Sequence, residues 1–172
     1  MNKYQFTAEL LGDTKLGRPN LGTQVDVEIY RLMQFTFRDV MEAQYGTEAA
    51  DQIFFAAGKI AGEFVFDHFI APAETLDEFI RKTQNILNEK KIGIFRVESI
   101  RDDGTIILTV DEDLDCSGLP ETDTEICVYD EGFLAGLLER FSGNPWTAKE
   151  IDCWCTGART CRFEAREVTT NS

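Results

Sequence analysis

The sequence is short of positive charge. Its 172 residues hold 17 lysines and arginines against 31 aspartates and glutamates, a formal net charge of -14. Such a surface repels phosphate backbones and anionic lipid, so nucleic acid is not an expected partner, and small molecules or other proteins are. No run approaches the roughly 20 apolar residues that a membrane span needs. The opening MNKYQFTAELLGD has no apolar stretch behind a basic start, so the expectation is a cytoplasmic protein without a membrane span. Histidine is nearly lacking, with His68 the single one. Neither a G-x-G-x-x-G following a strand nor a P-loop occurs, and no nucleophile stands beside an evident base. The chain therefore reads as a binding module rather than an enzyme. Internal repeats and low-complexity tracts are also missing, and the length suits one core.

What is present orders itself into helices followed by strands. Residues 1–24 mix polar residues with Gly12, Gly17, Pro19 and Gly22 and read as an irregular arm, with a short strand expected at Tyr4–Leu10. Arms of this kind often pack on a partner subunit. Residues 25–168 read as one domain and 169–172 as a polar tail. Ile29, Leu32, Met33, Val40 and Met41 recur at helical spacing, which predicts a helix from Val25 to Gln44. A second helix is expected over Glu48–Phe69, where Ala57, Gly58, Ala61 and Gly62 make a smooth patch against which another backbone can approach. Thr75 with Glu78 forms a capping box that opens a third helix, to about Asn88.

The pattern then changes. IGIFRVESI and TIILTV flank Asp102-Asp103-Gly104, a hairpin signal. A further helix is expected over Cys127–Phe141, and a second hairpin from strands near Lys149–Trp154 and Cys161–Arg166 about Thr156-Gly157. Helices first, then two hairpins with a helix between them, imply an α+β fold: a helical N-terminal half packed on a mostly antiparallel sheet.

Five cysteines is an odd number, and four of them fall within the 35 residues from Cys127 to Cys161. A secreted disulfide framework is not spread this way, and in a reducing compartment such crowding suggests metal. Cys127, Glu150, Cys153 and Cys161 make a four-donor set suited to tetrahedral zinc, with no position left for water and hence a structural site. A helix N-terminus at Cys127 would favour its thiolate. Residues 150 and 153 are an odd number apart, so a bulge or strand end must turn both toward one ion. Spacing alone leaves zinc and scattered buried thiols equally open. Cys116 and Cys155 read as a loop thiol and a strand thiol outside the set.

The segments Cys116-Ser-Gly-Leu-Pro120, Cys127-Val-Tyr-Asp-Glu-Gly132-Phe-Leu-Ala-Gly136, Glu150-Ile-Asp-Cys153 and Gly157-Ala-Arg-Thr-Cys161-Arg-Phe163 closely resemble the 4-vinyl reductase domain family. That family includes the sensor domains of phenol-responsive activators and is similar in fold to ligand-binding domains of NO signalling and to the Golgi-transport tethering subunits. The resemblance is specific over about residues 90–166. It implies zinc on Cys127, Glu150, Cys153 and Cys161, whose spacings of 23, 3 and 8 match the ligands of the phenol sensors. It also implies a cavity for a small apolar, aromatic or tetrapyrrole-like ligand, a protein partner that receives the signal or cargo, and a homodimer. Of the 13 phenylalanines, Phe35, Phe54, Phe55, Phe64 and Phe95, with His68, are the candidate pocket residues; ordinary core is the alternative for each. The phenol sensors fix the ligand hydroxyl with a His and a Trp for which this sequence offers no match. Two other functions are compatible with the family: an enzyme or accessory in tetrapyrrole reduction, and an assembly adaptor using the arm or the Gly58–Gly62 face.

Overall fold

The computed structural model describes residues 4–168, so the tail at 169–172 and the first three residues of the arm lie outside the described residues. The chain divides into two compact units, one through Asp39 and one from Val40 onward. The first holds a 3-10 turn at Ala8–Leu11, the helix α1 (Thr14–Gly17) and the larger part of α2 (Val27–Tyr45). The strand expected at Tyr4–Leu10 does not form. Gly12 sits at a φ of 62° and the Asp13 carboxylate accepts from the Leu16 amide at 2.9 Å, so local turn and cap bonds take the backbone groups that a strand would need paired across a ladder. Ile29, Leu32, Met33 and Phe37 of α2 are exposed.

The second unit contains α3 (Thr47–Val65), which runs into a π-helical turn at Phe66–Ile70, then α4 (Leu76–Glu89), β1 (Ile94–Ile100) and β2 (Ile106–Asp111). It continues with α5 (Val128–Ser142), β3 (Trp146–Asp152), a 3-10 turn at Trp154–Thr156 and β4 (Cys161–Glu167). Thr75 caps α4 as expected, its hydroxyl accepting from the Glu78 amide at 3.2 Å, while the Glu78 carboxylate reaches back to the Glu74 amide at 3.1 Å. Both hairpins form, and they join into one four-stranded antiparallel sheet in the order β1-β2-β4-β3. The expected α+β class is the class observed.

One row of side chains on the sheet faces the core. Across the strands Leu108 stands opposite Phe163, which stands opposite Glu150; Val110 stands opposite Cys161; Ile106 and Ala148 flank Ala165. All of these are buried. Against this face lies α5, buried from Asp130 through Leu138, because it is covered by the sheet on one side and by α3 on the other. A helix so enclosed needs no polar stripe, which is why its sequence shows little amphipathicity.

The α3–α5 contact is made backbone to backbone. A Cβ on Gly58 would lie 2.0 Å from the Tyr129 carbonyl oxygen, and one on Gly62 would lie 2.1 Å from that of Phe133. From the other side, Gly132 and Gly136 meet the Phe55 and Lys59 carbonyls in the same way, at 2.0 and 2.3 Å. The smooth patch on the second helix is thus filled by the chain's own α5. This overturns the Gly58–Gly62 face as an assembly surface: the four glycines interlock within the unit.

Candidate metal centre

The functional candidates converge at one end of the sheet. Cys161 opens β4 opposite Val110, one residue before the end of β2, so the turn leaving β2 must pass beside it. That turn carries Cys116. Asp113 shapes it: its Oδ1 accepts from the Asp115 amide at 2.7 Å and from the Cys116 amide at 3.2 Å. The loop is then tied down where the Trp154 indole donates to the Leu119 carbonyl at 3.0 Å. Cys153 follows β3 directly, and Cys127 is the N-cap of α5. Four chain segments thereby deliver one thiol each.

Cys116, Cys127, Cys153 and Cys161 have their sulfurs within 4.8 Å of one another, and all four are buried. None of the five cysteines is in a disulfide. Zinc–sulfur bonds of about 2.3 Å set the edges of a tetrahedron at about 3.8 Å. The sulfur of Cys127 stands 3.8 Å from that of Cys153 and 3.8 Å from that of Cys161; Cys116 and Cys161 are closer, at 3.1 Å. The donor set and its spacing fit a closed tetrahedral thiolate site.

Sequence reading groups Cys127, Cys153 and Cys161 with Glu150. The structure brings the three thiols together with Cys116, which reads from sequence as a loop thiol. Glu150 lies beside them on the inner face of β3. Its Oε2 accepts from the Cys127 amide at 3.2 Å, and its Oε1 is sealed from solvent without a hydrogen-bond partner. The register of β3 against β4 shifts between Glu150 and Asp152. That shift is the irregularity the odd spacing of 150 and 153 requires. Cys155, in the 3-10 turn, is buried but outside the group.

The electrostatics follow from four thiols sharing one dry space. The thiol contacts of Cys116, Cys127 and Cys161 hold Cys153 far below the ordinary thiol range, whereas contacts with Cys116, Cys153 and Cys161 push Cys127 far above it. The first thiolate therefore forms at Cys153 and not at the helix N-terminus, where neighbouring sulfurs, burial and Asp130 outweigh the favourable end of α5. Burial, then the charge on Cys153, pushes Glu150 up to about 8. Burial, then Asp115, pushes Asp113 up to about 7, and burial with Asp113 and Asp115 raises Asp130 as well. Cys155 is pushed up to about 12 by burial and then by Cys153. This end of the sheet is thus crowded with buried acidic groups that raise one another's proton affinity.

The six pocket candidates do not form one group. Phe95 lies in the main core on β1, and Phe54 in a smaller cluster with Met41 and Ala50, against which Val128 and Tyr129 pack. Phe55 contributes its carbonyl to the contact with Gly132. Phe64 stacks on His68 at 4.0 Å between ring centres, and His68 Nδ1 donates to the Phe64 carbonyl at 2.9 Å on the exposed end of the helix. Phe35 belongs to the first unit.

An α+β unit with an antiparallel sheet whose end gathers buried thiols from four segments is the class this architecture defines. Residues 106–167, a stretch holding all five cysteines and Glu150, match the 4-vinyl reductase domain, so the chain carries the domain that its motifs resemble. An uncharacterized protein of Methanocaldococcus jannaschii is 26% identical over 148 residues, 86% of this chain and 81% of its own. Among solved structures, a vinyl-4-reductase family protein of the same organism superposes with a TM-score of 0.64 at 14% identity, over 96% of this chain and 99% of that one. The phenol-responsive sensory domain of the transcription activator PoxR, with phenol, gives 0.62 at 10% identity, over 85% and 76%. A trafficking protein particle complex subunit 3 of Naegleria fowleri, covalently bound to palmitic acid, gives 0.64 at 12% identity, over 83% and 95%.

Proposed function

We propose that this protein is a zinc-containing small-molecule-binding module, acting as a sensor or carrier for an apolar or aromatic ligand and passing the result to a protein partner. The observation that carries the zinc part is the convergence of four buried, unbridged thiols at tetrahedral spacing. Cys116, Cys127, Cys153 and Cys161 would hold the ion, which supplies a cross-link between the turn after β2, the start of α5 and the second hairpin. Glu150 would orient Cys127 through its amide. Support for the ligand class comes from the relatives by fold: the PoxR sensory domain was solved with phenol and the trafficking subunit with palmitic acid.

A homodimer is part of this reading. On a chain of net charge -14, two copies meet most readily where acidic groups are few. The exposed row Ile29, Leu32, Met33, Thr36 and Phe37 on α2 is uncharged.

Native mass spectrometry with elemental analysis, on protein purified without added metal, tests the proposal as a whole. Zinc in every chain together with a retained apolar molecule supports it; a chain without metal or ligand contradicts it. The ligand set is tested separately. Cys116→Ser should lose the zinc, while Glu150→Gln, which keeps an acceptor for the Cys127 amide, should retain it. The opposite pattern would make Glu150 the fourth ligand and Cys116 a bystander.

A further inference from the structure

Cys127 belongs to two donor groups. Besides the four thiols, Asp113, Cys127 and Asp130 each offer a donor atom within 4.8 Å of the other two. Asp113 is 3% exposed and Asp130 9%. Asp113 is fixed by the two amides that its Oδ1 accepts, from Asp115 and Cys116. Asp130 stands in the first turn of α5, three residues past Cys127, and its Oδ2 is sealed from solvent with no hydrogen-bond partner. A buried carboxylate oxygen without a donor is an unsatisfied acceptor that folding would select against, unless something outside the chain occupies the space before it.

We propose that Asp113, Asp130 and Cys127 form a second cation site, with Cys127 bridging it to the four-thiol site. The bridging rests on the zinc reading above. Two carboxylate oxygens and one thiolate are a mixed set that suits zinc or another late first-row divalent ion, whereas magnesium and calcium ask for six or more oxygen donors. Three donors from the chain leave one position of a tetrahedron for water or for an oxygen or nitrogen atom of a ligand, so this second site would be the open one and the thiol site the closed one. Charge balance points the same way. Four thiolates around one divalent ion keep two negative charges, and two buried carboxylates add two more; a second divalent ion removes half of that burden.

The test counts ions on the full chain. Protein loaded with zinc and dialysed against excess magnesium, which clears exposed carboxylates, is weighed by native mass spectrometry. Two zinc ions per chain are expected, falling to one in Asp130→Asn with the thiol-bound ion retained. One ion in the unaltered protein would overturn the second site and leave the zinc reading standing; none would overturn both. Two ions persisting in Asp130→Asn would also overturn it, by placing the second ion elsewhere. Should that variant fail to fold, cobalt(II) titration of the unaltered protein decides. A second equivalent that adds visible absorption without further thiolate-to-cobalt charge transfer supports the site, and saturation at one equivalent contradicts it.

Discussion

Glu150 and Cys116 exchange the roles that their sequence positions suggest, and the reason lies in where each side chain is delivered. Glu150 projects from the core-facing row of β3 and spends one oxygen on the Cys127 amide. Cys116 arrives on a turn whose shape is set by Asp113. The burial of Glu150 also has a consequence for pH. Its folded value of about 8 lies above the ordinary 4.5, so the folded state favours the protonated carboxyl. The associated stability is complete below about pH 4.5 and is lost as pH rises toward 8. Metal-free protein should therefore lose stability between pH 5 and pH 8 relative to metal-free Glu150→Gln, in urea titrations of both. Parallel curves would mean that the carboxylate is ionised throughout. Cys127, Cys153 and Cys161 are legible as a group from residue type and crowding, whereas Cys116 is not. Its signal, an Asp three residues ahead in Asp113-Leu-Asp-Cys116, marks a turn but does not say what the turn faces.

At the scale of elements, the joint between α3 and α5 depends on glycine because carbonyl oxygens occupy the space of a first side-chain carbon. Gly58→Ala or Gly132→Ala must push the helices apart, and each should cost about 1–3 kcal/mol or more, since the clash is with backbone and not with a side chain that can swing away. Gly17→Ala, with nothing within 4 Å of the added carbon, should stay within about 0.5 kcal/mol. Chemical denaturation of the three variants checks this; equal stability would show that the helices separate freely. The helix and hairpin positions are readable from periodicity, caps and the Asp-Asp-Gly turn. The short strand expected in the arm fails because apolar alternation alone supplies no partner for its backbone.

For the whole molecule, the question is what covers the apolar residues on α2. Among the described residues no helix is long and apolar enough to cross a membrane, so a second copy is the occupant that the uncharged row fits best. Sedimentation should find a dimer, and Leu32→Glu with Phe37→Glu should convert it to a monomer while leaving the zinc content unchanged. A monomer in the unaltered protein would refute this arrangement, and loss of zinc in the variant would show that the metal site depends on assembly.

The sequence by itself determined the class of fold, the run of helices and hairpins, and three of the converging thiols, because these follow from side-chain periodicity, turn chemistry and residue type, all local properties. The tertiary structure alone decided that β2 and β4 are neighbours, that the α3 glycines are spent inside the unit, and that Cys116 and the carboxylates of Asp113 and Asp130 crowd around Cys127. Those outcomes depend on which strand edges pair and which helix fills which groove. They come from packing between segments far apart in the chain, where spacing along the sequence carries no information about distance in space.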